Sequence, residues 1–390
     1  MSAAQADDAR DAAEQALSEL EIPGADAWLE IVPVSTFREA FEHAFPDALE
    51  RLHERWKKPE VASRLTEQLY RVAIFDSPVV LGWPAIERCA EELLRERPSP
   101  HDGRRLAMVL AIARRHGGHK EPHPWPEEAE IAGEPRARRL RYLAHVVQSE
   151  AEGGADPGAC ADRAQKLVRP RLERASEDAV LLGAIGRALA AAERDADAIE
   201  VLRAAVATWQ DIGAPYDSSH AVCELLRLLG ITGSGSDVDQ VERQDLPAIE
   251  SDPRTSDKSL GFVRVALGRA HVQTGRPELG VLELDRVPRG RALPLIAEAG
   301  RLRWLALALD ALSEHAAADE LRARLASRKD PPYPWILQAT LADLDRARRD
   351  GTVTEALREE MGKNPELSRS LRRCPPDRDW AAHLTERSRY

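Results

Sequence analysis

One register recurs in three places along this chain and limits what it can fold into. A large apolar residue stands directly before a second position at Ile185-Gly186, at Leu267-Gly268 and at Trp304-Leu305. Twelve residues after the second position stand Ala198, Gly280 and Ala317, and sixteen after it stand Leu202, Leu284 and Leu321. Nineteen after it come Ala205, Val287 and Arg324, where the third segment departs. Two antiparallel helices approach closely only where small residues face each other. Gly186 with Ala198, and Gly268 with Gly280, are therefore expected at helix crossings, with Ile185 and Leu202 filling the space toward the next pair. One such pair cannot bury its own apolar face, but stacked copies can.

The rest of the chain agrees with a helical reading. Apolar residues recur with helical spacing almost throughout, and no stretch alternates with the period of a half-buried strand. Of the 390 residues, 43% are hydrophobic and 31% charged, and aromatics make up only 5%. Ala, Leu, Arg and Glu dominate, all good helix formers. Most gaps between helical stretches are short and carry Gly, Pro or Asp. Pro59 and Pro277 stand where helices should begin, a position that has no N–H to lose. Two gaps are longer. Residues 116–135 are rich in Gly and Pro and mark a boundary. Residues 231–259 are acidic and begin as a flexible linker, with a short helix expected around 238–249. The fold class is all-α.

Charge and cysteines narrow the function. The formal net charge is −11 and the isoelectric point is near 5.6, whereas nucleic-acid binders present a basic face to phosphate. The densest basic run, Arg136–Arg141, reads as a solvated helix face. Cys89, Cys160, Cys223 and Cys374 form no CxxC pair, so reduced thiols in a cytoplasm are expected. The first twenty residues read as an amphipathic helix and not as a signal peptide. No run reaches the roughly 20 apolar residues of a membrane span. A membrane partner is not expected, and the Ala/Arg-rich, Lys-poor composition suggests a bacterial source.

The register around Gly186 and Gly268 resembles the tetratricopeptide repeat (TPR) family. The family pattern has a large residue then Gly or Ala in the first helix, and Ala, a large residue, then Ala in the second. The Thr274-Gly275-Arg276 turn is also similar to the family's. The departures are His271 in place of a Tyr, Gly280 in place of the first Ala of the second helix, and a missing terminal Pro. The resemblance covers about 176–328. It implies an α-solenoid of stacked antiparallel hairpins over 131–330, with the acidic insertion at about 231–259. An N-terminal helical region would precede it over 1–130, and capping helices would follow over 331–390. It further implies that the first helix of each pair lines a groove for a peptide or partner protein. Carried over, the groove holds Val180, Arg187, Phe262, Val265, Arg269, Val272 and Gln273. The paired Arg187 and Arg269 suggest a bidentate carboxylate clamp.

No catalytic signature appears. GxxxxGK[ST] and GxSxG are absent, and Gly233–Asp237 follows no strand. Cys89 and Cys223 read as small buried hydrophobes, and Cys374 as a more exposed thiol beside arginines. His116, His119 and His123, with Glu121 and Glu127, carry ligand chemistry for zinc. They lie in a Gly/Pro-rich loop without HExxH, so no metal or other cofactor is expected. The tryptophans, several beside Pro, read as wedges at helix ends. Three readings follow. The first is a non-enzymatic scaffold or adaptor. The second is an inhibitor or sensor subunit of a bacterial signalling or defence complex, with a hinge or protease-sensitive linker at 231–259. The third is a metal-dependent enzyme built on the His116/His119/His123 cluster.

Overall fold

The computed structural model describes residues 82–96, 98–116, 135–153, 156–168, 175–287, 295–329 and 333–351, with scattered helical positions between 62 and 73. Among the described residues the chain is all-α and holds no strand. It divides into two compact units. One runs to Arg171 and includes Arg187–Ala192, and the other comprises Leu172–Gly186 and everything from Glu193 onward.

In the first unit, α1 (Gly82–Arg95) packs against α2 (Pro100–His116), and α3 (Arg136–Gly153) against α4 (Pro157–Val168). Ser99 starts α2. Its hydroxyl accepts the Asp102 N–H at 3.1 Å and donates to the Asp102 carboxylate at 2.9 Å, ahead of Pro100. This satisfies donors that a helix start leaves bare. Ile86, Cys89 and Leu93 of α1 and Leu106, Val109 and Ile112 of α2 are buried at helical spacing. Arg114 bridges back to Glu87 at 3.0 Å and Glu91 at 2.9 Å. Of the basic run at 136–141, read as a solvated face, Arg138 is half-buried and pairs with Glu67 at 2.6 Å.

The second unit takes in α5 (Ser176–Ala191) as far as Gly186, and the last turn of that helix belongs to the first unit. It contains α6 (Asp195–Asp211), α7 (Ser219–Thr232), α8 (Gly235–Gln244), α9 (Leu246–Ser251) and α10 (Asp257–Gln273). Then come α11 (Pro277–Asp285), α12 (Leu295–Ala311), α13 (His315–Ala326) and α14 (Tyr333–Arg349). Helix α10 is central and packs against α7, α8, α9, α11 and α12. The crossings expected from the glycines are present. A Cβ on Gly268 would lie 3.2 Å from the Gly280 carbonyl oxygen, and one on Gly186 would lie 3.5 Å from that of Ala198. Leu284 and Leu202 cover these glycines, each with Cγ 2.6 Å from such a Cβ.

One turn recurs. Glu193, Gly233, Gly275 and Ser313 have φ of 60°, 74°, 76° and 66°, and each stands two residues before the next helix. After three of them the next N–H reaches back to close the preceding helix: Ser234 to Leu229 O at 3.0 Å, Arg276 to His271 O at 2.9 Å, and Glu314 to Leu309 O at 2.8 Å. These turns correct the third register by one residue. Ala306, Ala318 and Arg322, not Leu305, Ala317 and Leu321, hold the places of Gly268, Gly280 and Leu284. Ala318 is fully buried, whereas Ala317 is not. The run Trp304-Leu305-Ala306 is apolar in either phase, so the sequence pattern does not separate the two alignments.

The acidic segment 231–259, read as beginning with a flexible linker and holding a short helix around 238–249, is helical over 235–244 and 246–251. Its acidic face conceals four buried apolar residues, Val238, Val241, Leu246 and Ile249. They anchor α8 and α9 beside α7 and α10. At the other end, Trp335 is buried with Ala299, Leu302, Leu325 and Ala342. Its indole N–H donates to the Leu325 carbonyl at 2.7 Å, which suits a wedge at a helix start.

Candidate functional site

Helix α10 carries five of the groove residues read from the sequence. It begins at Ser256, whose hydroxyl accepts the Ser259 N–H at 3.2 Å. It ends at Thr274, whose hydroxyl donates to Ala270 O at 2.9 Å. Phe262 is 36% exposed. The others face neighbouring helices. Val265 and Val272 pack against the cluster of Leu284, Trp304 and Leu305. The Arg269 guanidinium lies 4.9 Å from the Trp304 ring centroid, and Arg303 stacks on the same ring at 4.9 Å. Arg269 also donates to Gln273 at 3.2 Å, and Gln273 sits where a side chain on Gly230 would project. Arg187 belongs to the first unit, where its guanidinium donates to Gln148 at 3.0 Å. The two arginines are thus both engaged within the chain, one over an indole and one on an amide. Val180 is half-buried.

A second cluster on the same helix escaped the sequence reading. His271 has no exposed surface, and neither ring nitrogen has a hydrogen-bond partner. Its Nε2 lies 3.2 Å from Glu242 Oε2, close enough for a hydrogen bond but off the line that one requires. Asp239, one turn earlier on α8, offers a third ligand atom, and all three atoms lie within 4.8 Å of one another. Arg276, at the start of α11, pairs with Asp239 and donates to the Gly235 carbonyl at 3.1 Å. Burial, then the Arg276 charge, pushes the imidazole pKa below its ordinary value against the pull of Glu242, Asp239 and Glu283. The ring is therefore neutral at neutral pH. Glu283 itself is buried between Arg264 and Arg286, at 2.5 Å from each.

One signal could have found this cluster. Four residues before each positive-φ turn residue stand Leu189, Leu229 and Leu309, and in α10 the same place holds His271. A leucine position, buried at 189 and 229, has become an imidazole. The residue was visible as a departure from the TPR pattern. Its partners were hidden in a segment read as linker.

The His116, His119 and His123 cluster falls elsewhere. Helix α2 ends at His116, and the side chains of all three histidines lie outside the described residues, as does Cys374. Burial pushes the thiol pKa of Cys89, Cys160 and Cys223 up to about 12 in each case, with nearby carboxylates adding to it. A thiolate is the reactive form. Cys89 is accordingly expected to resist a disulfide reagent at pH 8 until the protein unfolds, as peptide mapping would read. Labelling of Cys89 within minutes in the folded protein would contradict its burial. No helix among the described residues is long and apolar enough to cross a membrane. No protein-family model, curated protein or solved structure matches the chain.

Proposed function

We propose that the chain is a non-enzymatic adaptor of the tetratricopeptide-like kind, in which stacked helix pairs hold out a face to a peptide or partner protein. The recurring turn and the glycine crossings support the stacking, as does the packing of α10 on α7 and α12. The observation that carries the binding reading is Phe262. It is a large aromatic residue left exposed on the helix that the resemblance assigns to the groove, where aromatic anchors concentrate binding energy. Leu295, at the start of α12, is 42% exposed and adds apolar surface. The groove in this reading works through apolar anchoring. The carboxylate clamp loses its basis, because Arg269 stacks on Trp304 and Arg187 binds Gln148.

Affinity capture from the source cells, with wild type beside Phe262→Asp, tests the reading. Phe262 is exposed, so the substitution leaves the core intact. A partner captured by wild type should bind the variant about 30-fold more weakly, as for loss of a hot-spot aromatic worth about 2 kcal/mol. Equal capture by both proteins would remove Phe262 from any interface and overturn the reading.

A further inference from the structure

We propose that Asp239, Glu242 and His271 form a binding site for a divalent zinc-like cation that fastens α8 to α10. Three observations converge. The first is His271 itself, which is buried with both ring nitrogens lacking hydrogen bonds. Folded proteins rarely keep such groups unsatisfied, and each instance calls for an explanation. A cation on Nε2 supplies one, and it leaves only Nδ1 without a partner.

The second observation is distance. Zinc holds imidazole nitrogen and carboxylate oxygen at about 2.0–2.2 Å in a tetrahedron, which sets neighbouring ligand atoms roughly 3.3 Å apart. The Nε2 to Glu242 Oε2 separation is 3.2 Å. The pair is already spaced as two ligands of one ion, while its alignment is wrong for a hydrogen bond. Asp239 and Glu242 are three residues apart on α8 and share a face. Asp239 is 41% exposed, so its side chain is free to close on an ion once Arg276 swings aside. One imidazole and two carboxylates form a donor set of intermediate hardness, suited to zinc and its first-row neighbours more than to magnesium.

The third observation is position. At the equivalent place before the other turns the chain has leucine, at Leu189, Leu229 and Leu309. A leucine fits there, so packing alone does not account for the histidine. Likewise Glu242 stands nine residues after the turn residue Gly233, where α6 has Leu202, α11 has Leu284 and α13 has Arg322. An imidazole, where the other turns have leucine, here faces a carboxylate, where they have leucine or arginine. Arg276 is the built-in competitor. It holds Asp239 in the metal-free state, so zinc binding exchanges one cation for another. Water completes the tetrahedron on the solvent side, which the half-buried Asp239 and Glu242 reach.

The test uses the full chain, stripped with chelator and titrated with zinc sulfate alone. A second protein, with His116, His119 and His123 all changed to Ala, removes the other histidine cluster. Both proteins should bind one zinc ion at this site, with a dissociation constant of about 10 μM or tighter, and magnesium should not compete. His271→Leu restores the residue found at the equivalent positions, so it is expected to fold. Together with Glu242→Gln and Asp239→Asn, it should weaken binding at least about tenfold. Zinc should raise the melting temperature of wild type and leave that of His271→Leu unmoved. Arg276→Gln should bind zinc more tightly than wild type. Stoichiometric zinc that survives His271→Leu, or no binding tighter than about 100 μM to the triple-alanine protein, would overturn the site.

Discussion

Asp310→Ala is expected to remove about 3 kcal/mol of unfolding free energy at pH 7, near the lower end of the range for stripping one partner from a buried ion pair. Asp310, at the end of α12, joins three helices. It accepts from Arg322 of α13 and from Arg349 of α14, the latter at 2.8 Å, and its Oδ1 lies 3.3 Å from Nδ1 of His315. The Arg322 side chain is 1% exposed. Without Asp310, Arg322 keeps Asp319 at 2.9 Å, but that carboxylate is 41% exposed and weak as a partner. Arg322 also has an Nε with no hydrogen bond, so little remains to offset its desolvation. The double variant Asp310→Ala/Arg322→Leu should recover most of the loss, because leucine occupies the equivalent place as Leu202 and Leu284. Urea unfolding of the two variants beside wild type measures both effects. A cost below about 1 kcal/mol for the single variant would mean that Arg322 is solvated rather than held. The pH dependence has a fixed sign. Burial alone would raise the Asp310 pKa, but the bonds from Arg322 and Arg349 outweigh it and hold the carboxyl below its ordinary value. The stabilisation is then fully present above the unfolded-state pKa of about 3.9 and is lost as pH falls through the lower folded value. The stability gap between wild type and Asp310→Ala should therefore begin to narrow below about pH 4 and go on closing as pH falls through the lower folded value.

The sequence exposed the parts of this fold that depend on the smallest residues. A glycine in a helix interior costs stability, so its presence at 186, 268 and 280 signals backbone approach. The contacts at those positions follow that reading. Gly230 marks an equally close approach, since a Cβ there would meet Ala270 of α10 at 3.1 Å. It escaped notice because it stands beside a segment read as linker. That misreading had one cause. Residues 235–251 carry many acidic side chains, and the four buried apolar residues among them are too sparse to show a helical stripe. A short helix is expected around 238–249, but without its apolar face Asp239 and Glu242 have no assigned direction, so His271 stands alone as an oddity in a pattern. The internal partners of Arg269 and Arg187 escaped the sequence for a different reason. Spacing places Arg269 on a given side of α10, but whether that side is open depends on α12, whose Trp304 lies over it. Periodicity within one helix carries no record of the next helix's cover. The groove and adaptor expectations rest on that same cover, which is why Phe262, the residue left bare, now carries them.

Gly268→Val is expected to destabilise the second unit by about 3 kcal/mol, the upper part of the usual range for overpacking. The new Cβ would stand 2.6 Å from Leu284 Cγ and 3.0 Å from its Cδ2. Leu284 is fully buried among Trp304 and Leu305, so it has no open space into which to turn. The Gly280 carbonyl oxygen, 3.2 Å away, is backbone and moves only if α10 and α11 separate. Gly300→Ala is the matching control. It lies inside α12, and the nearest atom to its new Cβ is Val265 Cγ1 at 3.9 Å. A glycine replaced by alanine in a helix interior, with room for the methyl, should gain up to about 1 kcal/mol. Opposite signs for two glycines one helix apart would separate steric approach from helix propensity, since propensity favours both substitutions. If Gly268→Val unfolds at the same urea concentration as wild type, α10 and α11 are not held at that crossing. The register that relates α5–α6 to α10–α11 would then lose its physical basis, and the stacked-pair reading would lose its strongest support. If the loss appears, the spacing of α10 from α11 is fixed by one missing side chain. The side of α10 that bears Phe262 is then presented by a rigid element, as a face meant to meet a partner requires.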